Sequence, residues 1–315
     1  MHRTPTPRGG GVAIAAAWMV ALPVLWALGE IDGSATLGLC VGGGAVAAIG
    51  WWDDHRGLPA WVRLAVHAAA AAWTIAHLGD FSAMHVGDGV IRLGPAGAIL
   101  AGIALVWMIN LYNFMDGIDG LAGGECVTAA LAAACILHAR GAAGLGWLAF
   151  VLAAAGAGFL VWNWPPAKIF MGDVGSGFLG YAFGALALTA ESKAGIPALA
   201  LLIPLMVFVV DATFTLFRRL VAGERITQAH RSHVYQRLVR RGWTHRRVTG
   251  LVLVVNGGLA ALAWDAAVNP ARLPVAVLAS TAAVSAVGTL ALRLTPERTR
   301  SRESEDAATT APGGR

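Results

Sequence analysis

Residues 96–122 read AGAILAGIALVWMINLYNFMDGIDGLA, an apolar run that ends in a cluster of polar side chains. The cluster comprises Asn110, Asn113, Asp116 and Asp119, at intervals of three residues. On a helix end this spacing brings all four side chains near one face. Carboxylate and carboxamide oxygens grouped in this way suit a hard cation such as Mg²⁺. Helix capping is the alternative for any single member, but four together beside an apolar span favour a functional site.

The composition indicates an integral membrane protein. Hydrophobic residues make up 57% of the 315 residues, mean hydropathy is +0.64 and only 13% are charged, against about 25% in soluble domains. No alternating pattern of a membrane β-barrel is present, so the predicted fold is an all-α polytopic membrane protein. About ten transmembrane helices are predicted, at 11–29, 33–52, 60–79, 94–112, 120–139, 143–162, 174–191, 196–217, 248–268 and 273–294.

The chain is predicted to form one membrane-embedded domain, residues 1–294, followed by a tail. The tail, 295–315, is rich in Thr, Ser, Arg, Glu, Ala and Gly and has no apolar pattern, so we expect it to be disordered. Three cysteines lack paired or metal-ligand spacing and receive no chemical role: Cys40, Cys126 and Cys135.

The distribution of Lys and Arg predicts the orientation in the membrane. With a cytoplasmic amino terminus, nineteen of the 23 basic residues fall on inside segments and four on outside loops. This asymmetry follows the positive-inside rule. The polar segments after the second, fourth, sixth and eighth predicted helices then share the cytoplasmic side. The sequence therefore predicts one composite site that faces the cytoplasm.

Two adjacent carboxylates, Asp53 and Asp54, follow the second predicted helix. Adjacent carboxylates repel each other, which favours proton uptake by one of them or binding of a cation. Such a pair can accept a proton from a phosphate or hydroxyl nucleophile, or it can hold a divalent ion. A solvated helix end is the alternative interpretation.

The segment 163–177 contains Asn163, two prolines that stop the sixth helix, and several glycines after Phe170. The glycines are predicted to open the backbone so that amide N–H groups point at an anion. The segment lacks the Gly-Lys-Ser/Thr ending of a P-loop, which excludes nucleotide binding of that type. Phe170 can stack on a base or merely anchor a helix, and Asp173 can complete the metal shell.

The longest polar segment, 218–247, carries nine arginines against one acid, Glu224. His230 and His233, with Arg231 between them, are predicted to present donors to the phosphates of a diphosphate substrate. Two histidines without a third ligand argue against zinc. Attraction to anionic lipid headgroups is predicted for four arginines: Arg240, Arg241, Arg246 and Arg247.

These segments together predict a pocket with about five carboxylates and a cationic wall at a membrane interface. The chemistry that fits is Mg²⁺-dependent phosphoryl transfer from a soluble nucleotide-activated donor to a lipid phosphate, in which positioning and charge neutralisation supply most of the catalysis. A transporter is the first alternative, but its binding residues are expected near mid-span on interrupted helices. A CDP-alcohol phosphotransferase is the second, but the run after Asp119 lacks the arginine of that motif.

Five motifs occur in order along the chain: Pro-Thr-Pro-Arg-Gly-Gly-Gly (5–11), Trp-Asp-Asp (52–54), Asn-Phe-Met-Asp-Gly-Ile-Asp-Gly-Leu-Ala (113–122), Phe-Met-Gly-Asp-Val-Gly-Ser (170–176) and His-Arg-Ser-His-Val-Tyr-Gln-Arg-Leu (230–238). With these motifs the chain resembles the polyprenyl-phosphate N-acetylhexosamine-1-phosphate transferases of glycosyltransferase family 4, which include enzymes that initiate O-antigen synthesis and the lipid I translocase. The resemblance extends to about residue 294. Members normally carry one more transmembrane helix before the Pro-Thr-Pro loop, whereas Met1 here lies just before that loop.

The resemblance implies a reaction in which a UDP-N-acetyl sugar and undecaprenyl phosphate give undecaprenyl-diphosphate-sugar and UMP, with Mg²⁺ or alternatively Mn²⁺ as cofactor. It implies a multi-pass protein of the bacterial inner membrane, in contact with membrane lipid and without a nucleic-acid partner. The single Arg between the two histidines resembles the O-antigen-initiating branch. The identity of the N-acetyl sugar and the oligomeric state stay open, with a homodimer as one option.

The resemblance also implies roles for the acidic residues. Asp53 would deprotonate the lipid phosphate, with Asp54 beside it. Asn113 and Asp173 would hold Mg²⁺ against the diphosphate. Asp116 would be a reserve nucleophile or a member of the metal shell, since the sequence leaves open whether transfer takes one step or passes through a covalent intermediate.

The substrate-binding residues implied by the resemblance form two sets. The first would line the uracil pocket: Asp119, Asn163 and Phe170. The second would bind the diphosphate or the sugar: His230, Arg231 and His233.

Overall fold

The structure is a computed structural model that describes residues 6–79, 81–224 and 231–295. Twelve α-helices occur in these ranges: α1 (Gly11–Ala27), α2 (Gly33–Arg56), α3 (Ala60–Leu78), α4 (Ala96–Met115), α5 (Leu121–Ala139), α6 (Ala143–Asn163), α7 (Asp173–Ala194), α8 (Ala198–Leu202), α9 (Met206–Val221), α10 (Val234–Arg240), α11 (His245–Val268) and α12 (Leu273–Arg293). A two-stranded hairpin lies between α3 and α4, formed by β1 (Ala83–Val86) and β2 (Gly89–Arg92).

The helices confirm the predicted all-α membrane fold. Across the described ranges, seven helical segments are long and apolar enough to cross a membrane. The count of ten spans stays a prediction, because α1 has 17 residues and α3 and α7 fall below the apolarity of the other spans.

The glycine-rich helix α7 forms the centre of the bundle. It packs against α1, α2 and α4, and nearly all of its residues are buried. Small residues permit the close approach, since a Cβ on Gly175 would lie 2.5 Å from the Cα of Gly11 and one on Gly180 would lie 2.3 Å from the Met108 carbonyl oxygen. A helix enclosed by other helices does not face lipid, which explains its lower hydropathy.

The predicted eighth helix, 196–217, is interrupted in the structure. It divides into α8 and α9 around a 3₁₀ turn at Ile203–Leu205 that contains Pro204. Proline has no N–H to continue the helical ladder, which accounts for the break. The predicted polar loop beyond α9 contains the additional short helix α10.

The turns at one end of the bundle bring separate polar segments together. Gly57, with φ of +64°, ends α2 in the left-handed conformation, and Pro59 precedes the first turn of α3. This tight reversal places Arg63 beside Asp53. At the same end, α4 stops at Asp116 and α6 stops before Trp164, so the four predicted polar segments converge.

The hairpin lies at the opposite end of the bundle and was not predicted from the sequence. Its two-residue turn is Gly87-Asp88, with Gly87 at φ +64°, and the flanking strands contain Val and Ile. A Gly-Asp pair between β-branched residues is typical of a hairpin turn. It was not identified because the segment is short and lies between two predicted membrane spans, where a simple loop is expected. Glu191 at the end of α7 binds the hairpin through His85.

Candidate active site

A cavity of about 540 Å³ lies where α2, α4 and α6 end and α7 begins. Eight of the eleven predicted site residues line it: Asp54, Asn113, Asp116, Asp119, Asn163, Phe170, Asp173 and Arg231. Segments far apart in the chain thus form one concave surface, as the sequence predicted. His230 lies outside the described residues, and Asp53 and His233 do not line this cavity.

Asp53 lies in the last turn of α2, where it is joined to Asp173 through an arginine. Arg63 Nη1 forms an ion pair with Asp53 Oδ2 and lies 3.0 Å from Asp173 Oδ2. The backbone N–H of Leu58 also donates to Asp53. The guanidinium of Arg63 therefore offsets the repulsion between two carboxylates, a role that the sequence analysis missed. The sequence signal for this role was an arginine placed about one helical turn after the tight reversal at Gly57-Leu58-Pro59.

The two predicted metal ligands are close together. The side chain of Asp173 contacts those of Asn113 and Asp53. Within 6–79, 81–224 and 231–295, no three His, Cys, Asp or Glu side chains are grouped as a ready metal site. Mg²⁺ commonly takes one or two carboxylates and completes its shell with water and phosphate oxygens. The donor set of Asn113 and Asp173 therefore fits Mg²⁺ that shares its shell with a bound diphosphate.

Asp116 caps α4 and faces the cavity with part of its surface. Loss of solvent around the carboxyl group raises the pKa of Asp116 to about 7, and the negative charges of Asp173, Asp54 and Asp119 act in the same direction. The carboxyl group of Asp116 therefore lies in a locally negative environment. A bound cation would relieve this repulsion.

Asp54 anchors the start of α7. Its Oδ1 accepts the N–H of Asp173 at 3.0 Å and its Oδ2 accepts the N–H of Val174 at 3.1 Å. A carboxylate at a helix amino terminus satisfies free N–H groups and interacts well with the helix dipole. Asp54 therefore fixes the backbone of Asp173, and its catalytic role stays a prediction.

The amides of residues 173–176 do not form the anion cradle predicted for the glycine segment. The N–H groups of Asp173 and Val174 donate to Asp54, and those of Gly175 and Ser176 donate to the carbonyl of Gly172. These four amides are therefore engaged within the protein. The glycines instead serve close packing, and a Cβ on Gly172 would lie 2.5 Å from Asp54 Oδ2.

Asn163 fixes two walls of the cavity. Its Oδ1 accepts the N–H of Gly120 at 2.8 Å and its Nδ2 donates to the carbonyl of Ile169 at 2.9 Å. Asp119 Oδ2 accepts the N–H of Ala167 at 3.0 Å and lies 3.3 Å from His245 Nδ1. Both residues hold loops in place as well as lining the cavity.

The backbone of Phe170 is held by the amino-terminal segment. Its N–H donates to the carbonyl of Pro7 at 2.9 Å, and its carbonyl accepts the N–H of Gly10 at 3.0 Å. The Pro-Thr-Pro segment thus contacts a neighbouring loop of the protein. The pairing places Arg8 on the cavity wall.

The cationic wall contains more residues than the sequence analysis assigned. Arg8 and Arg240 line the cavity beside Arg231, together with His245 and the neutral Gln236. Arg240 was assigned to lipid headgroups, and that attraction stays a prediction beside its place on the cavity wall.

The three other arginines assigned to lipid headgroups make contacts within the protein. Arg241 Nη1 donates to the carbonyl of Thr295 at 2.9 Å. Arg246 Nη2 donates to the carbonyl of Pro165 at 3.4 Å. The guanidinium of Arg247 lies 4.0 Å from the centre of the Trp243 ring.

A second cavity, the groove between α3, α4 and α9, adjoins the first. Its volume is about 1200 Å³ and its walls are largely apolar, with exposed Ile99 and Ile103 on α4. Polar side chains cluster at one end of the groove: Arg63, His67, Asn110, Asn113, His233 and Gln236. Asn113 and Gln236 line both cavities, so the two spaces meet there.

His233 is buried at this polar end of the groove. Its Nδ1 lies 3.4 Å from Asp211 Oδ1, and its ring stacks against Tyr235 and Phe114. It therefore lines the groove rather than the smaller cavity to which Arg231 contributes.

Comparisons with known proteins give consistent similarities. The profile of the family described as Glycosyl transferase family 4 matches residues 36–191. Decaprenyl-phosphate N-acetylglucosaminephosphotransferase of Mycolicibacterium smegmatis is 34% identical over 291 residues, covering 82% of this chain and 71% of that protein.

Two further relatives come from other bacteria, and one of them has a different printed activity. The probable undecaprenyl-phosphate N-acetylglucosaminyl 1-phosphate transferase of Bacillus subtilis is 30% identical, covering 82% of this chain and 72% of that protein. Phospho-N-acetylmuramoyl-pentapeptide-transferase of Rippkaea orientalis is 28% identical, with 84% and 75% covered. The relatives therefore align with most of the chain, and the family match includes the cavity residues from α2 to the start of α7.

Proposed function

Because the chain belongs to the polyprenyl-phosphate N-acetylhexosamine-1-phosphate transferases of glycosyltransferase family 4, we propose that it transfers an N-acetylhexosamine 1-phosphate from a UDP-sugar to a polyprenyl phosphate. The products are polyprenyl-diphosphate-sugar and UMP. The names of the relatives favour N-acetylglucosamine as the sugar and a decaprenyl or undecaprenyl acceptor.

The junction of the two cavities carries this proposal. One space is polar, contains carboxylates and arginines, and suits a nucleoside diphosphate sugar. The other is a long apolar groove that suits a polyprenyl chain. Since Asn113 and Gln236 border both, a phosphate at the polar end of the groove lies next to a diphosphate in the smaller cavity. Phosphoryl transfer requires this proximity of two phosphates.

The transfer breaks one phosphorus–oxygen bond and forms another. An oxygen of the acceptor phosphate attacks the sugar-linked phosphorus of the donor, and the oxygen that bridges to UMP leaves with the electron pair. Arg63 lies at the polar end of the groove, where an incoming acceptor phosphate competes with Asp53 and Asp173 for its guanidinium. The cationic side chains of Arg8, Arg231 and Arg240 partly neutralise the negative charge of the donor diphosphate.

Asn113 and Asp173 would hold Mg²⁺, which when bound supplies charge neutralisation for the diphosphate. Asp53 adjoins this pair and receives protons or orients the acceptor. A phosphate monoester has a second pKa of about 6, so the acceptor is largely a dianion at neutral pH and proton removal matters most under mildly acidic conditions.

The site faces the cytoplasm in this proposal. The excess of Lys and Arg on one set of loops supports that orientation in a bacterial plasma membrane, and UDP-sugars are soluble donors. The product would begin a cell-envelope polysaccharide. The O-antigen assignment rests on the single Arg between His230 and His233, whereas the relatives are named for the sugar-phosphate transfer alone.

The proposal is tested by UMP release from purified protein. The protein is incubated with Mg²⁺, undecaprenyl or decaprenyl phosphate, and a panel of UDP-N-acetyl sugars. We expect UMP and a lipid-linked sugar in equal amounts, with loss of both when the chelator EDTA is added and recovery with excess Mg²⁺.

Omission of the lipid phosphate is the control, because hydrolysis of the donor also yields UMP. Protein that is folded but forms no lipid-linked sugar from any donor in the panel would overturn the proposal. Turnover that persists in EDTA would overturn the metal assignment alone.

A further inference from the structure

Asp211 is a carboxylate in an apolar part of the molecule. It lies in the second turn of α9, is 8% exposed, and borders an apolar cavity of about 580 Å³ between α9, α11 and α12. An ionisable side chain within a membrane span costs free energy and is usually retained for a function. Asp211 lines neither the smaller cavity, where the donor is proposed to bind, nor the groove. Direct contact with substrate therefore does not explain why a carboxylate lies here.

The contacts of Asp211 connect α9 to the segment that carries the predicted phosphate ligands. The N–H of Val234 donates to both carboxylate oxygens, at 3.0 and 2.9 Å. The hydroxyl of Thr215 donates to Oδ1 at 3.1 Å. His233 Nδ1 lies 3.4 Å from the same oxygen, within ion-pair distance when the imidazole is protonated.

Residues 231–236 border both substrate spaces. Arg231 lines the donor cavity, His233 lines the groove, and Gln236 lines both. The segment has a second attachment, because the hydroxyl of Tyr235 donates to the carbonyl of Phe114 at 2.9 Å, next to Asn113. Asp211 therefore fixes one side of segment 231–236, and the other side of the segment is fixed to α4, the helix that carries Asn113.

We propose that Asp211 is a positioning residue that holds residues 231–236 at the junction of the two cavities and orients the imidazole of His233. The Asp211 carboxylate lies beside Nδ1 of the ring, so it helps to set how the imidazole faces the groove. The effect on turnover rests on the function proposed above.

Asp211→Asn tests the charge with little change of shape. The amide keeps an oxygen that can accept the N–H of Val234, but it no longer attracts His233. We expect kcat/KM for UMP release to fall about tenfold to a hundredfold, as for loss of a charge-assisted contact, with the larger part in kcat and with the thermal midpoint nearly unchanged.

A double-mutant cycle separates positioning from a general structural effect. If Asp211 acts through His233, Asp211→Asn changes turnover little once His233→Gln is present. Equal losses in the presence and absence of His233 would overturn the proposal.

Glu125→Gln is the matched control. Glu125 is a fully buried carboxylate on α5 whose Oε2 accepts Asn256 Nδ2 at 2.6 Å, and it does not line either substrate space. We expect its turnover to match that of the unmodified protein. A loss equal to that of Asp211→Asn would indicate a general cost of removing buried charge and would overturn the proposal.

Hydrogen exchange provides a readout independent of activity. Asp211→Ala removes both acceptors of the Val234 N–H, so we expect faster exchange in the peptide covering 231–240 and unchanged exchange in α5. If the unmodified protein releases no UMP but this loosening occurs, the proposed reaction fails while the positioning contact stands. Unchanged exchange at 231–240 would overturn the positioning role.

Discussion

At one end of the bundle the Glu191 carboxylate accepts two backbone N–H groups, from His85 and Ala198, each at 2.7 Å, and its Oε1 also lies 2.7 Å from His85 Nδ1. At the other end, Asp53 and Asp173 share one arginine, and Asp116 lies among further negative charges. Both ends contain buried acids. At the first end backbone N–H groups engage the acid, whereas at the second end several carboxylates share a cavity with arginine side chains.

The difference shows how to distinguish a structural acid from a candidate functional one. A carboxylate with all its acceptors engaged by N–H groups fixes the backbone, as Glu191 fixes the hairpin to α7 and α8. Carboxylates that crowd together around a cavity retain unneutralised charge, which a cation or a cationic side chain must offset. The variants below test this distinction in order of decreasing effect on turnover.

The largest effect is expected at Asp173 and Asp53. Asp173→Asn removes a predicted metal ligand, and Asp53→Asn removes the acid that is paired with Arg63 beside Asp173. Each should reduce UMP release by at least about a hundredfold, as for loss of preorganised charge at a transition state. The measurement is turnover at saturating Mg²⁺, with thermal unfolding as the control for folding. Near-normal turnover in both variants would refute the site.

Replacement of Arg63 by Lys should have a smaller effect. Arg63 contacts Asp53 and Asp173 with one guanidinium nitrogen, and a lysine ammonium has a shorter reach and no planar fork. We expect a loss of about tenfold in kcat/KM for the lipid phosphate. The KM for the UDP-sugar should change less, since Arg63 lines the groove and not the smaller cavity. A selective rise in the UDP-sugar KM would contradict this placement of the acceptor.

Gly102→Leu tests the apolar groove itself. Gly102 lines the groove, and a Cβ there would make only an ordinary 3.5 Å contact with Ile75 Cδ1, so the helix should accept the longer side chain. The leucine occupies groove volume, and we expect the KM for polyprenyl phosphate to rise about fivefold with kcat retained. Gly158→Leu on α6, where a Cβ has no atom within 4 Å, is the control. Equal lipid KM values for the two variants would place the acceptor elsewhere.

Glu191→Gln should leave turnover unchanged and lower stability. The amide introduces an N–H₂ where a backbone N–H now donates, so one hydrogen bond becomes a repulsion. We expect the free energy of unfolding to fall by about 1–3 kcal/mol, the cost of an unsatisfied buried group. Thermal unfolding and UMP release measured on the same sample check this. If Glu191→Gln lost turnover while keeping full stability, the distinction between a structural acid at this end and functional acids at the other end would be wrong.

Much of the site could be predicted because its residues belong to compact motifs. Asn113, Asp116 and Asp119 lie within seven residues of each other, and the alternation of spans places the other segments on the same side. The predicted helical spacing does not hold across this motif, because α4 ends at Met115 and Asp116 to Gly120 leave the helix. The individual roles were less predictable. Asp54 was assigned to catalysis beside its neighbour, yet it caps α7 across more than a hundred residues of sequence.

Adjacent arginines illustrate the limit of sequence patterns. Arg240 lines the smaller cavity, while Arg241 binds the chain just after α12. Consecutive helical residues point about 100° apart, so a difference of one position separates a substrate-facing side chain from a packing contact. The direction of each depends on how α10 is seated, which Asp211 and Tyr235 determine.

The sequence by itself determined the membrane-spanning helical class, the family motifs and the segments that form the site, because hydrophobicity and motif spacing are local properties of the chain. Only the tertiary structure decided that Arg63 bridges two carboxylates, that the glycine segment packs against helices, and that Asp211 holds the His233 segment. These arrangements arise from contacts between distant segments, whose geometry is set when the helices pack together.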